Sequence, residues 1–494
     1  MVDNETDVTL LTSSSASALP ADVQRPAHDR AALSTGIVHL GLGAFHRAHQ
    51  ALYTEAALAA GDRRWGIVGV HLRGQRLADA LRAQDHLYTV TEQHGDTRHT
   101  RLVGAVRAAL FAPAQLRTVL ETLADPAVHI ISSTVTEKGY SLQPATGELD
   151  LTDPELAHDL AEPAQPRSTL GVLAAGLLRR DPRHPVTVVC CDNMAANGPT
   201  LQRLLQAYAE RVCPALLPRL IDGSIAFPST MVDRIVPAAT EASLAAAERH
   251  LGLRDELAIA CEPFSQWVIE DRFAGPRPEW ERGGALFTDD VRPFQAMKLR
   301  LLNGSHSAIA YLGQCRGLAT VAEAMADPLV RATVRGLMFD ELLPTVQVPG
   351  GFDLVAYGEQ LIHRFDNPAL AHRTAQIAMD GTQKVAVRWL PALRERLAAG
   401  QPSPRLERLL ALWLHALRHD RTDGGQALSL AAGDPGAPAL EAVLRGADGA
   451  AAAARAALAF APVFGTQPWP EGLAGRLASH FDTLERGGTH ALFA

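Results

Sequence analysis

The sequence predicts an α/β protein: a doubly wound, mostly parallel sheet domain followed by a mainly α-helical C-terminal domain. In the first half, short apolar runs alternate with helical segments, the pattern of a parallel sheet covered on both faces. From about Pro293 onward strand signals nearly vanish, and Ala/Leu/Arg segments with helical spacing dominate. The 494 residues give room for two full cores. The expected division is a flexible N-terminal arm over 1–30, the sheet domain over 31–290 and the helical domain over 291–494.

The arm is polar, rich in Ser, Ala and Pro, and acidic at its start. It lacks the basic start and apolar run of a signal peptide, so a cytoplasmic protein is expected. Apolar runs mark strands at Gly36 to Leu42, Trp65 to His71, Leu87 to Glu92, His129 to Thr136 and Val186 to Cys191. Helices are expected at Arg47 to Ala60, Gln75 to Ala83, Ala114 to Ala124, Ser168 to Arg180 and Pro199 to Val212. Beyond the boundary, Leu406 to Arg418 and Pro438 to Ala461 carry the clearest helical spacing.

Composition narrows the partners. A formal charge of -8 with no long basic cluster argues against a nucleic-acid binder. No apolar run approaches the roughly 20 residues of a membrane-spanning helix. The five cysteines, Cys190, Cys191, Cys213, Cys261 and Cys315, lack paired ligand spacing and suit buried reduced thiols.

The first strand runs into Gly41-Leu42-Gly43-Ala44-Phe45-His46 and then a helix. Two glycines there suit a dinucleotide-binding turn, in which backbone approaches a pyrophosphate at a helix start. His46 replaces the third glycine, so a plain glycine turn is the competing reading. The second strand ends in His71, Leu72, Arg73, Gly74, Gln75 and Arg76, without the acid that would hold the ribose diol of NAD. Its arginines fit either a 2′-phosphate or an exposed helix start.

Other polar runs invite two readings each. Asn193 ends an apolar strand, where open α/β sheets carry ligands, or caps the next helix. Asp233 with Arg234 is a site pair or a loop ion pair. The run Cys261-Glu262-Pro263-Phe264 with Gln266, Trp267, Glu270 and Asp271 offers contacts or a helix start. Asp380-Gly381-Thr382-Gln383-Lys384 is a turn whose lysine faces a site or solvent.

The most informative stretch is Met297 to Gly313, MKLRLLNGSHSAIAYLG. On an ideal helix Asn303 lies about 140° and His306 about 80° around the axis from Lys298, one broad face. Leu299, Leu301, Leu302, Ile309 and Leu312 predict burial, where a lysine is costly unless chemistry needs it. A desolvated lysine near a cationic nicotinamide can take a proton from a secondary alcohol. Two asparagine amides can hold the developing alkoxide, and a histidine can orient the carbon for hydride transfer. No zinc is required.

At GLGAFHRAHQALYTE, TVTEKGY, CDNMAANG, FPSTMVDRIVP, CEPFSQWVIED, KLRLLNGSH and DGTQK the chain resembles the mannitol dehydrogenase family of long-chain, zinc-independent polyol and hexuronate dehydrogenases. These segments span residues 41 to 384 in order; after about 390 the match weakens. The resemblance implies a Rossmann-type N-terminal domain and a mainly helical C-terminal one. It assigns Lys298 as general acid/base, Asn193 and Asn303 as oxyanion-stabilising amides and His306 as the substrate-positioning histidine. Asp233 and Lys384 match substrate-pocket positions, and Gly41, Gly43, Phe45 and Arg47 fall in the cofactor turn. Four positions depart from the family's mannitol enzymes: Gln75 and Arg76 replace acids, Gln295 replaces a glutamate linked to proton exit, and Gln376 replaces an arginine.

Thr136 to Tyr140 and His372 to Gln376 look more like the fructuronate reductase (D-mannonate oxidoreductase) branch. Arg373 would be an apt bidentate partner for a hexuronate carboxylate. The expected activity is interconversion of D-fructuronate and D-mannonate with NAD(H), NADP remaining open and no metal involved. The alternatives are a mannitol 2-dehydrogenase or related polyol enzyme and, from another class, a protein that senses NAD(H) without turnover. Expected partners are a small sugar acid or sugar alcohol, with no nucleic acid and no membrane, in a monomer or small homo-oligomer.

Overall fold

The computed structural model describes residues 8–494 except 144–145, 195, 371 and 431. The chain forms two compact units, Met1–Arg292 and Pro293–Ala494.

Among the described residues, twelve strands lie in the first unit. In chain order they are β1 (Thr35–Leu40), β2 (Gly66–His71), β3 (Tyr88–His94), β4 (Thr97–Val103), β5 (Val106–Phe111) and β6 (Ile130–Ser133). There follow β7 (Val186–Cys190), β8 (Ile225–Ala226), β9 (Thr230–Asp233), β10 (Ile259–Cys261), β11 (Gln266–Glu270) and β12 (Leu286–Thr288). Six build a wholly parallel sheet of order β5-β2-β1-β6-β7-β8. From central β1 the chain winds one way to β2 and β5, then returns to β6 on the other side. That reversal is a topological switch point, the place where such sheets bind ligands.

The central strands are apolar and buried along almost their whole length, as expected for a sheet covered on both faces. One expected strand belongs elsewhere. Leu87 to Glu92 appears as β3, which pairs antiparallel with β4 and parallel with β10 in a separate sheet. The hairpin turns at Gly95, which has φ +54, and its second strand, TRHTRLV, is too polar to stand out by apolar content. A third sheet, β12-β11-β9, carries the FPSTMVD and QWVIE segments; the latter, for which a helix start is one of two readings, is a strand instead.

The loose arm needs correction from its eighth residue on; residues 1–7 lie outside the described ones. Leu10 bridges Arg254 and Gln24 bridges Arg101. Leu11, Leu19 and Val23 are buried with Leu87, Leu102, Leu251 and Leu253. Apolar residues spaced through a polar segment thus nail it to the domain.

The second unit is helical. Its centre is the helix Gly304–Cys315, in which every residue but Gln314 is buried. Pro404–His419 is a continuous amphipathic helix, as its spacing predicts. The stretch Pro438 to Ala461, expected as one helix, is divided into Ala437–Arg445, Gly449–Leu458 and Ala461–Phe464. Gly446 and the left-handed Gly449 (φ +79) account for the first break. Among the described residues, no helix is long and apolar enough to cross a membrane.

Candidate active site

After β1 the chain turns at Gly41, with φ +88. A Cβ there would sit 2.3 Å from the Thr134 carbonyl oxygen, so only glycine fits. At Gly43 a Cβ would meet nothing nearer than 3.8 Å, so that backbone face is open to a ligand. A cavity of about 150 Å³ lies here. Its walls are Gly41 after β1, His71 at the end of β2 with Leu72 and Arg73 after it, Val135 and Gly139 after β6, with Glu155 and Thr169. An open glycine backbone beside a cavity at the switch point fits the pyrophosphate and adenosine side of a dinucleotide.

His46 occupies the third-glycine position without disturbing the turn. It is buried and stacks on His39 of β1, ring centroids 3.5 Å apart. His39 in turn hydrogen-bonds Ser132 Oγ and Thr134 Oγ1, each at 2.8 Å. Phe45 is half-buried and stacks on His49. Arg47, expected in the cofactor turn, points into the core. Its Nη1 donates to the Leu257 carbonyl at 2.8 Å and its guanidinium lies over Tyr88.

No acid ends β2, but one arrives from elsewhere. Glu155, on the helix Pro154–Ala161, forms an ion pair with Arg73 at 3.0 Å on the cavity wall. Sequence spacing gave no signal for an acid more than 80 residues away (|i−j| = 82).

At the C-terminal end of β7, Asp192 accepts from the Val135 and Thr136 amides at 3.0 Å and from the Tyr140 hydroxyl at 2.6 Å. Burial raises its pKa. It ties the TVTEKGY segment to CDNMAANG and leaves its neighbour Asn193 exposed. Asn197, 1% exposed, starts the helix Asn197–Val212 and spreads its amide over the Cys190, Asp192 and Thr230 carbonyls, each at 3.1 Å. The Thr230 amide returns a bond to Asn197 Oδ1 at 2.9 Å. Asn197 therefore fixes the strand end that carries Asn193 to the strand, β9, that ends in buried Asp233. Arg234 is committed elsewhere, to Glu92 and to the Ala48 and Glu262 carbonyls.

In the second unit, Lys298–Asn303 is a π-helix, and the Gly304 amide closes back on the Leu299 carbonyl. With i→i+5 closure the turn widens, so Asn303 lies little more than one turn beyond Lys298. The 140° separation expected from an α-helix is thereby narrowed. Lys298, Leu299 and Asn303 are half-buried rather than buried, while Arg300 leaves by another side to meet Glu395 at 2.7 Å. Gln295, at the position of the family's proton-exit glutamate, is half-buried in the preceding α-helical turn. Arg388 Nη1 donates to the Asn303 carbonyl at 3.1 Å and to Ser307 Oγ at 3.0 Å. Trp389 Nε1 donates to the Gly304 carbonyl at 2.9 Å, so the π turn is clamped where it joins the α-helix.

His306 follows on the buried helix, 8% exposed. Its ring lies 4.8 Å from Phe365 and stands perpendicular to His372 at 5.5 Å. Burial, then His372 and the cations Arg388, Arg364 and Lys384, push its pKa well below the ordinary value. Lys384 donates to the Ile377 carbonyl at 3.1 Å and is also lowered by burial and by Arg388. These groups come together; Arg373 does not join them. Its side chain is exposed, while the backbone around it is tied to Thr320 and Ala319. The neighbour His372 holds the inward place instead.

Several non-glycine residues with left-handed backbone fall at these motifs: Thr136 (φ 69), Ala196 (φ 46) and Asp380 (φ 53). Such conformations cost about 1–3 kcal/mol each and persist where surroundings enforce them, commonly at functional sites. Near Asp380, Gly381 is obligatory because a Cβ would lie 2.8 Å from both Trp413 Nε1 and the Tyr311 hydroxyl.

Comparison with known proteins accounts for this arrangement. The mannitol dehydrogenase Rossmann domain matches residues 35–282, and the mannitol dehydrogenase C-terminal domain matches 290–481. The chain belongs to the mannitol dehydrogenase family. D-mannonate oxidoreductase of Escherichia coli K12 is 44% identical over 398 residues, 79% of this chain and 82% of that one. An uncharacterized oxidoreductase of the same organism, YeiQ, is 48% identical over 380 residues, 76% of this chain and 78% of that one. The structure of Pseudomonas fluorescens mannitol 2-dehydrogenase in ternary complex with NAD and D-mannitol superposes with TM-score 0.82 at 34% identity. That match covers 98% of this chain and 99% of the other. The protein is thus an oxidoreductase of this family, with a Rossmann-type first domain and a helical second one.

Sequence reasoning missed Asp192, Asn197, Glu155, His372 and Arg388. Asp192, Asn197 and His372 stood inside segments already singled out, but a polar residue in a motif gives no sign of whether it points to ligand or to backbone. One further cluster has metal-ligating donors, His415 and His419 on one helix with Glu485, all within 4.8 Å of one another. The H-x3-H spacing was legible.

Proposed function

We propose that this protein is an NAD(H)-dependent oxidoreductase interconverting D-fructuronate and D-mannonate. The observation that carries the reading is the π turn, which brings an acid/base lysine and an amide donor onto one face one turn apart, followed by buried His306. The hexuronate assignment is supported by the similarity to D-mannonate oxidoreductase and by the cations gathered around His306.

A bound reduced nicotinamide supplies the hydride. Lys298, as the ammonium, gives a proton to the ketone oxygen as the secondary alcohol forms, and removes it in the reverse direction. The Asn303 and Asn193 amides donate to that oxygen while charge develops on it. His306, neutral because it is buried, holds a substrate hydroxyl and fixes the carbon facing the hydride donor. Asp233 and Lys384 take further hydroxyl or carboxylate groups. Gly41 and Gly43 carry the pyrophosphate; Phe45 lies beside them, and Arg47 acts on the turn through packing.

A neutral polyol as substrate is the second reading, favoured by the exposure of Arg373, the residue expected to take the carboxylate. NADH oxidation measured with fructuronate, tagaturonate, fructose and xylulose, and repeated with NADPH, separates the two. Loss of turnover in Lys298→Ala with NADH binding kept is expected; equal turnover in mutant and wild type would sink the mechanism.

A further inference from the structure

His306 Nε2 and His372 Nδ1 are both shielded from solvent and lack a hydrogen-bond partner. Buried polar atoms are normally satisfied, so two orphaned imidazole nitrogens on rings 5.5 Å apart ask for a ligand. Around them are Lys384, which spends one donor on the Ile377 carbonyl, and Arg388, which is turned toward Asn303 and Ser307. Among the described residues, none of His306, His372, Lys384 and Arg388 forms an ion pair with a carboxylate of the protein. Asp380 and Asp434 act on Lys384 only through space, and Asp434 is already occupied by the Thr382 amide and hydroxyl.

Two orphaned imidazole nitrogens beside two cations that form no ion pair, Lys384 and Arg388, make a cluster whose missing component is a hydrogen-bonding, anionic ligand. We infer that His372 is a substrate contact that, together with Lys384, holds the carboxylate at the far end of the sugar chain, while His306 holds a hydroxyl nearer the reacting carbon. The inference rests on the hexuronate reading above and deepens it, replacing Arg373 by His372 as the residue that selects the acid. His372 is placed for this by its neighbours: its carbonyl accepts from the Val321 amide, and Thr374, buried after it, donates to the Leu318 carbonyl. The backbone is pinned on both sides of a ring whose Nδ1 has no hydrogen-bond partner.

The test compares initial rates of the wild type, His372→Leu and His372→Asn with D-fructuronate, fructose and fructose 6-phosphate, using NADH. A hydrogen bond to a charged group corresponds to roughly ten- to a hundredfold in affinity. His372→Leu should therefore raise KM for fructuronate by about tenfold or more, leaving kcat/KM for fructose within about twofold. His372→Asn, which keeps a short donor, should recover part of the loss. If the wild type does not prefer fructuronate to both other sugars, the hexuronate reading and the subsite fall together. If the wild type prefers it and His372→Leu keeps that preference undiminished, the subsite alone falls. An equal loss with charged and neutral sugars assigns His372 to packing and overturns the proposal as well.

Discussion

Asn303 stands one π turn beyond Lys298, five residues on and on the same face, because the Gly304 amide reaches back to Leu299. An α-helix would have carried it well around the axis. An amide whose position relative to the lysine is set by backbone geometry costs little reorganisation during reaction, which is the condition for strong oxyanion stabilisation.

Asn303→Ala should therefore lower kcat by about 10²–10³ while changing the KM for NADH little. Steady-state kinetics with both substrates varied checks this. A loss confined to KM would show that Asn303 binds the ground state rather than the developing alkoxide.

Coenzyme preference should turn on Glu155 and Arg73. The carboxylate occupies the guanidinium at 3.0 Å on the wall of the cavity, where a 2′-phosphate would otherwise compete for it. Glu155→Gln is expected to move the NADPH/NADH ratio of kcat/KM upward by about tenfold, since the freed arginine gains a charge-assisted partner. An unchanged ratio would detach this pair from coenzyme selection.

Asn197→Ala should destabilise the first domain by about 2–3 kcal/mol, because buried carbonyls at the end of β7 and on Thr230 lose their donor. Thermal unfolding followed by circular dichroism measures it. Activity should fall too, since Asn193 and Asp233 share that anchor. A Tm within about a degree of wild type would refute the anchoring role.

Stability should fall on acidification below about pH 6.5. Burial holds His39 at about 3 and His71 at about 4, both under the unfolded value. Between these limits the unfolded chain binds protons that the folded one refuses. The stabilisation present above pH 6.5 is therefore lost as pH drops toward 4, by up to about 1.4 kcal/mol per unit for each histidine. Tm measured from pH 7 to pH 4.5 should decline, and less steeply in His39→Gln. Identical slopes would remove His39 from the account.

The parallel sheet was legible because β1, β2, β6 and β7 are continuous apolar runs, and the central helix because a lysine in such company needs a reason. The hairpin β3–β4 was half hidden, since one strand exposes polar residues along its length. The π turn was hidden altogether: periodicity arguments assume 3.6 residues per turn, and a widened turn leaves the residue types unchanged. Asn193, Asp233, Lys298, Asn303, His306 and Lys384 came from their motifs. Arg373 and His372 are adjacent in sequence, and only the backbone pairing with Thr320 and Val321 decides which of them turns inward. Glu155 was beyond reach because its partner lies in another element.

The His39–His46 stack carries a further consequence. A third glycine ordinarily lets helix and strand come close by having no side chain. Here two flat rings fill the space between them at 3.5 Å. The constraint has passed from one position to a pair. Across relatives, positions 39 and 46 are therefore expected to covary: a glycine at 46 should accompany a small residue at 39, and a ring at one should accompany a ring at the other. A search demanding GxGxxG passes over every member that solved the spacing in this second way.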